Sequence, residues 1–487
     1  MHTRGRAVAV GLLVAATAAA AVLHWLAGFS FPLPWVDEAH FLAPARSLIA
    51  RGTLAAPQIG AADGIFWMPD GYSVLVAPIA GSVAAVRAFS LLAAVAFAAC
   101  LLVAVDRAGG GVAWVGAAAA AWLVAPRVVL LSNVARMEAP VLALAGVALL
   151  LVGRRRWGAA AAVAALAPLL HPVGVVVLGA VAACAAWFRD GSPGRWGRWG
   201  RWDWVLLLAV GIAWVAEVAW FAWHAELASE HLAFQLQRKA GRPPSLPWTR
   251  AVLLTAAIAG TLVAARRRRD TAAHQPVAAA CLLMAAGFVL VTAVGNELWY
   301  EVLGGATAGL LVAAGAALLL PGRHPGTPRP VMGPRRLPAA GTVLAGGAGM
   351  ALAAAGITAT LTTPLYGMTP DSTQTGEWRR FTADAVVALD RLDRRLDEPA
   401  TVVVHRLSGI GPWLYGRRWR HLRVVQPTPV TPVPAADSDY ALATLDRRAL
   451  TRAVIKGELP AGEPIVDLRS DQGSFDLRVY QGPFLGP

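Results

Sequence analysis

The sequence predicts an all-α polytopic membrane bundle of about eleven transmembrane helices, followed by a small C-terminal α/β domain. Three observations carry that expectation. The chain of 487 residues is 57% hydrophobic and only 15% charged, with mean hydropathy +0.54, too little charge to cover a water-soluble surface of this size. Its Ala, Leu and Val arrive in blocks of about one membrane thickness, separated by short Arg-rich stretches. Beyond residue 365 the blocks stop, and short runs rich in β-branched residues replace them.

Taken in order, the apolar blocks are about 7–28, 72–105, 111–125, 137–152, 157–170, 173–188, 204–222, 251–265, 275–294, 300–320 and 339–362. The first has a basic start and small residues near Ala18, as a secretory signal does, but its apolar run from Ala7 to Ala27 is long enough to span, so an uncleaved helix is expected. The second is overlong for one crossing and has room for an interfacial turn. Alternate loops carry eighteen Lys and Arg on one side and eight on the other, which places the N-terminus in the cytoplasm of a multi-pass plasma-membrane protein. An odd number of crossings then sets residues 366–487 outside the cytoplasm.

That C-terminal segment holds five strand-like runs, 401–405, 422–426, 440–445, 464–468 and 475–481. Ahead of them, 377–396 has a helical apolar stripe of Trp378, Phe381, Ala385, Leu389, Leu392 and Leu396. The segment 426–434, QPTPVTPVP, reads as a stiff connector. Two domains follow: 1–365, with a first outer loop at 29–71, and 366–487.

The net charge of +14 does not point to nucleic acid, because the arginines sit beside apolar spans, where they meet lipid headgroups and fix orientation. RWGRWGRW (195–202) reads the same way, as interfacial anchors. Cys100, Cys184 and Cys281 all lie inside apolar blocks as small core residues. Neither HExxH nor GxxxxGK[ST] occurs, so no cofactor is expected, nothing supports a divalent metal, and ATP-driven chemistry is disfavoured.

Polar residues gather on the outer face. PWVDEAHFLAPARSLIARG (34–52) opens with Asp37 and Glu38 and continues as an amphipathic helix through Phe41, Leu42, Ala45, Leu48 and Ile49, bent at Pro44 and ended by Gly52. Capping that helix needs one short acid, Asp37, and leaves Glu38 over. IFWMPDGYSVLVAPI (65–79) combines a turn at Pro69, Asp70 and Gly71 with the flat rings of Trp67 and Tyr72, which suit either sugar stacking or an aromatic belt. SNVARMEAPVLAL puts Arg136 and Glu138 at the outer end of the fourth block, where snorkelling is the plainer account. His171 stands at a hairpin turn before Pro172, Glu217 lies within an apolar run and needs a partner or a wet cavity, and Glu297, Tyr300 and Glu301 crowd the start of the tenth block.

The layout resembles the GT-C superfamily of polytopic glycosyltransferases, in the subgroup similar to protein O-mannosyltransferases and lipid A aminoarabinose transferases. The segments that carry the resemblance are PWVDEAHFLAPARSLIARG after the first block, MPDGYSVLVAPI at the second, and the supporting ARMEAPVLALAGVALLL and ELWYEVLGG. It implies a polyprenyl-phosphate sugar as donor and inverting transfer to the hydroxyl of an extracytoplasmic glycan, lipid or protein. It also implies Asp37 as general base and Glu38 as a second acid orienting acceptor or donor. Arg136 loosely matches an outer-face arginine that meets lipid phosphate in relatives, and Tyr300 an aromatic entry to a late span. Arg238, Lys239 and His171 are further candidates for the phosphate. The chain departs from the pattern at WMPDGY, where relatives carry a turn resembling His-Pro-Pro. The Ala-, Arg- and Gly-rich composition resembles actinobacterial coding and hints at the cell envelope. The competing expectations are a non-enzymatic transporter or flippase of a lipid-linked envelope precursor, which calls for internal repeats and a mid-membrane site, and a sensory protein working through 366–487, which calls for an acid-free first loop.

Overall fold

The computed structural model describes residues 2–26, 36–56, 64–66, 68–188, 201–240, 255, 275–295, 298–319, 337–362, 372–404, 419–425, 439–446, 459–460, 462–471 and 475–483. Its first helix, α1 (His2–Leu26), is a single apolar rod, and α2 (Val36–Arg51) follows it. Gly52, at φ +70°, ends α2 by donating its N–H to the Leu48 carbonyl at 2.9 Å, a conformation in which a side chain would be strained. The overlong second block divides into a short α3 (Gly71–Val76), one 3₁₀ turn (Ala77–Ile79) and α4 (Val83–Arg107), whose N-cap Ser82 accepts from the Ala85 N–H.

Helices α5 (Val112–Leu123) and α6 (Pro126–Ser132) meet at 70°. Pro126 causes the break: it cannot donate into the preceding turn, and it holds Ala125 in an extended conformation (φ −65°, ψ 137°). The bundle continues through α7 (Glu138–Gly153), α8 (Trp157–Leu170), α9 (Val175–Trp187), α10 (Arg201–Trp223), α11 (Ala225–Ala240), α12 (Gln275–Gly295), α13 (Leu298–Val302), a π-turn (Leu303–Thr307), α14 (Ala308–Leu319) and α15 (Leu337–Thr362). Among the described residues five helices are long and apolar enough to cross a membrane, or six with the bent α5–α6 pair. Helices over 138–153, 157–170, 172–187 and 344–359 are apolar but shorter, so among the described residues length and composition give fewer crossings than the expected eleven, and all of 251–265 except residue 255 lies outside the described residues.

Small residues set the packing. Helix α7 lies on α4 where Gly146 faces Phe97, so that a Cβ there would stand 3.0 Å from the Phe97 Cα. Each end of the bundle is marked by charge. At one, Arg6 pairs with Asp106 at 2.7 Å and Arg156 with Asp203 at 2.9 Å. At the other lie the first turns of α2, α4 and α7 and the His171 turn.

In the C-terminal segment α16 (Ser372–Asp393) packs Phe381, Ala385, Leu389 and Leu392 against a five-stranded sheet. The strands are β1 (Ala400–Val404), β2 (Leu422–Val425), β3 (Tyr440–Asp446), β4 (Val466–Arg469) and β5 (Phe475–Gln481), in the order β2-β1-β3-β5-β4. β1 runs parallel to β2 and β3, and β5 antiparallel to β3 and β4. Asp393 ends the helix by accepting the N–H groups of Arg420, His421 and Leu422, which fixes the start of β2. The connector 426–434 and the Trp378 side chain lie outside the described residues.

Candidate active site

The site is built around one fully buried ion pair. Glu38, in the first turn of α2, receives Arg87 of α4 through Nε to Oε1 (2.9 Å) and Nη2 to Oε2 (2.7 Å). The Ala135 N–H adds a third bond to Oε1 at 2.7 Å, and both charged side chains are 0% exposed. One carboxylate thus joins α2, α4 and the strap between α6 and α7. Both Glu38 oxygens are engaged, so its chemistry here is to hold the turn that carries Asp37. Asp37 is the second residue of α2, inside the first turn, where the partial positive charge of the helix end favours an acid; its side chain lies outside the described residues.

Apolar contacts fix the rest of α2. Phe41, Leu42 and Ala45 pack with Tyr72, Val76, Val86, Ala135 and Met137, and the Phe41 and Tyr72 rings meet edge to face at 5.6 Å. Arg46 Nε donates to the Ala80 carbonyl at 2.6 Å, tying α2 to the turn before α4.

A second ion pair lies beside the first. Arg136 Nη2 donates to Glu138 Oε1 at 2.8 Å, with both residues buried. Tyr72, fully buried, lies within electrostatic reach of Glu38, Glu138 and Arg136. His171, at the end of α8, accepts the Val173 N–H on Nδ1 (3.1 Å), stands within electrostatic reach of Glu138, and meets the Tyr300 ring edge to face at 5.8 Å. Thr292 Oγ1 in turn donates to the Tyr300 carbonyl at 2.6 Å.

Asp70 approaches from the other flank. Its N–H donates to Glu217 Oε1 of α10 at 3.0 Å, which supplies the partner that an acid in an apolar run requires. Asp70 is 6% exposed; burial, and after it the Glu217 carboxylate, push its acid up to about 8, with the Trp220 side chain opposing. Phe66 nearby stacks on Trp220 and gives its N–H to His231 Nδ1 at 3.1 Å. Gly71 permits all of this: a Cβ there would stand 2.4 Å from the Leu169 carbonyl oxygen, so only glycine lets α3 press against the end of α8.

The structure therefore brings Glu38, Asp70, Tyr72, Arg136, Glu138, His171 and Tyr300 to one end of the bundle. Trp67 and Glu297, and the side chains of Arg238 and Lys239 on α11, lie outside the described residues. Two residues had escaped the sequence reading as candidates: Arg87, whose signal was a lone charge within SVAAVRAFSLL, and Arg127, which counted only toward orientation. Among the described residues no group of three or more His, Cys, Asp or Glu side chains is placed to hold a metal.

No protein-family model and no curated protein sequence matches the chain. Two solved structures do: ArnT from Cupriavidus metallidurans bound to undecaprenyl phosphate, at TM-score 0.54 over 98% of this chain and 99% of that one, and the same protein in the apo state, at 0.52 over 97% and 98%. Identity is 16% in both. The chain shares the ArnT fold along nearly its whole length.

Proposed function

We propose that the protein is an integral-membrane glycosyltransferase that moves a sugar from a polyprenyl phosphate to an acceptor hydroxyl outside the cytoplasm. The observation that carries this reading is that two buried ion pairs and a buried acid gather at the end of the bundle where α2 begins, within a fold whose ArnT representative holds undecaprenyl phosphate. The excess of Lys and Arg in the loops of the opposite end supports a cytoplasmic N-terminus and a site on the outer face.

In this mechanism Asp37 accepts the proton of the acceptor hydroxyl as its oxygen attacks the anomeric carbon. The bond from that carbon to the phosphate oxygen breaks, and the polyprenyl phosphate leaves with the electron pair. Attack opposite the leaving group inverts the centre. Glu38, saturated by Arg87 and the Ala135 N–H, is a positioning residue that keeps Asp37 at the mouth of the bundle.

Membranes carrying Asp37→Asn test the assignment. Transfer from a polyprenyl-phosphate sugar should fall about 10²- to 10⁴-fold, while the purified variant elutes and melts as the parent does. A folded Asp37→Asn protein with full activity would remove the base from this position.

A further inference from the structure

The reaction leaves a phosphate behind, and the buried arginines of the site have little left to offer it. Arg87 forks onto Glu38 with its side chain 0% exposed, and Arg136 is taken by Glu138 with its side chain 6% exposed. Arg127 differs. It stands at the start of α6, just past the bend at Pro126, with its side chain 55% exposed. Its Nη1 reaches Glu301 Oε2, and it has no other partner among the described residues, so Nε and Nη2 keep their hydrogens available. Glu301 follows Tyr300, whose ring packs on His171 beside Glu138, so the exposed pair borders the same cluster.

We infer that Arg127 is the phosphate-binding cation of this site and that Glu301 is its placeholder, displaced when the lipid phosphate arrives. The inference rests on the polyprenyl-phosphate reading above and deepens it. Physical asymmetry drives the exchange. A single carboxylate contact in an exposed pair is weak, whereas a phosphate dianion can take two parallel bonds from one guanidinium. Glu301, with 28% of its side chain exposed, can turn back to water when displaced. An arginine already buried against a carboxylate cannot make that exchange without leaving a charge stranded.

The test is equilibrium binding of undecaprenyl phosphate to the full-length protein in phosphatidylcholine nanodiscs. Arg127→Gln should weaken binding about ten- to hundredfold, and Arg127→Lys should recover part of the loss. Glu301→Gln should tighten it about two- to fivefold, because the competing anion is gone. Opposite signs for the two partners are the signature, since a merely structural pair would lose on both sides. Weakening by Glu301→Gln, or unchanged binding by a folded Arg127→Gln protein, overturns the proposal while leaving the donor reading intact. Suppression of binding by phosphatidylglycerol in the discs, or by inorganic phosphate at matched concentration, would make this a general anion site and also overturn it. A parent protein that fails to bind undecaprenyl phosphate sinks the donor reading and this assignment together.

Discussion

The two ends of the bundle differ in the ion pairs they bury: among the described residues, sealed pairs occur at one end and not at the other. At the end of the N-terminus, Arg6–Asp106 and Arg156–Asp203 are open to solvent on the arginine side, with those side chains 54% and 47% exposed. At the other end Glu38–Arg87 is sealed and Arg136–Glu138 nearly so, with the exposed Arg127–Glu301 pair at their border. Solvated pairs cost little to form and contribute little, so the first end is charged because of where the loops lie. Sealed pairs must recover a desolvation penalty through good geometry and further hydrogen bonds, and they add little stability over apolar residues of equal volume. Two of them side by side hold the backbone of α2, α4 and α7 in place, which is a ground independent of any motif for proposing the site at this end.

The contrast is most readily broken at Arg87. Replacing it with Ala strands the Glu38 carboxylate, and the cost should be about 3–5 kcal/mol. It should be read as a lowered melting temperature in detergent and as faster hydrogen exchange through 36–51. The double change Glu38→Leu with Arg87→Met should restore most of that stability, whereas its failure to do so would mean that the pair is more than a tether. A middle-sized effect belongs to Asp70. Its folded value of about 8 lies above the ordinary carboxylate value of 3.8, so the folded chain binds that proton more tightly than the unfolded chain. Stability should therefore fall as pH rises from the ordinary value to about 8, and level off above it. Asp70→Asn should flatten the dependence of melting temperature on pH between about 5 and 9, and an unchanged slope would assign the dependence to other groups. The smallest effect is expected at the opposite end, where Arg6→Ala should cost under about 1 kcal/mol and less still at high salt. A loss as large as that from Arg87→Ala would erase the distinction between the ends.

The sequence made some of this legible. Apolar blocks at 137–152, 157–170 and 275–294 become α7, α8 and α12 within a residue or two, because a lipid-facing helix has to declare itself in hydropathy. The five strand-like runs overlap β1 to β5, since β-branched residues between turn formers admit little else. What escaped was pairing over long sequence distances. Glu38 lies 49 residues from Arg87 and 97 from Ala135, and nothing local to DEAH says that this acid is engaged in a buried ion pair. The block at 111–125 was clear as a helix, but its 70° turn into α6, which sets Arg127 beside Glu301, follows from Pro126 lying just beyond it. Gly71 read as a turn residue, and its contact with Leu169 appears only once α3 and α8 are brought together.

The sealed pair also constrains how this sequence can drift. Losing either Glu38 or Arg87 alone leaves an uncompensated charge in a dry interior, so each single step is costly even where the double replacement is tolerable. The two positions are therefore expected to change together or not at all, crossing a fitness valley in one move. On the proposal that Asp37 is the base, its constraint comes from the reaction and that of Glu38 from the ion pair, so adjacent acids in one turn of helix would evolve under unrelated rules.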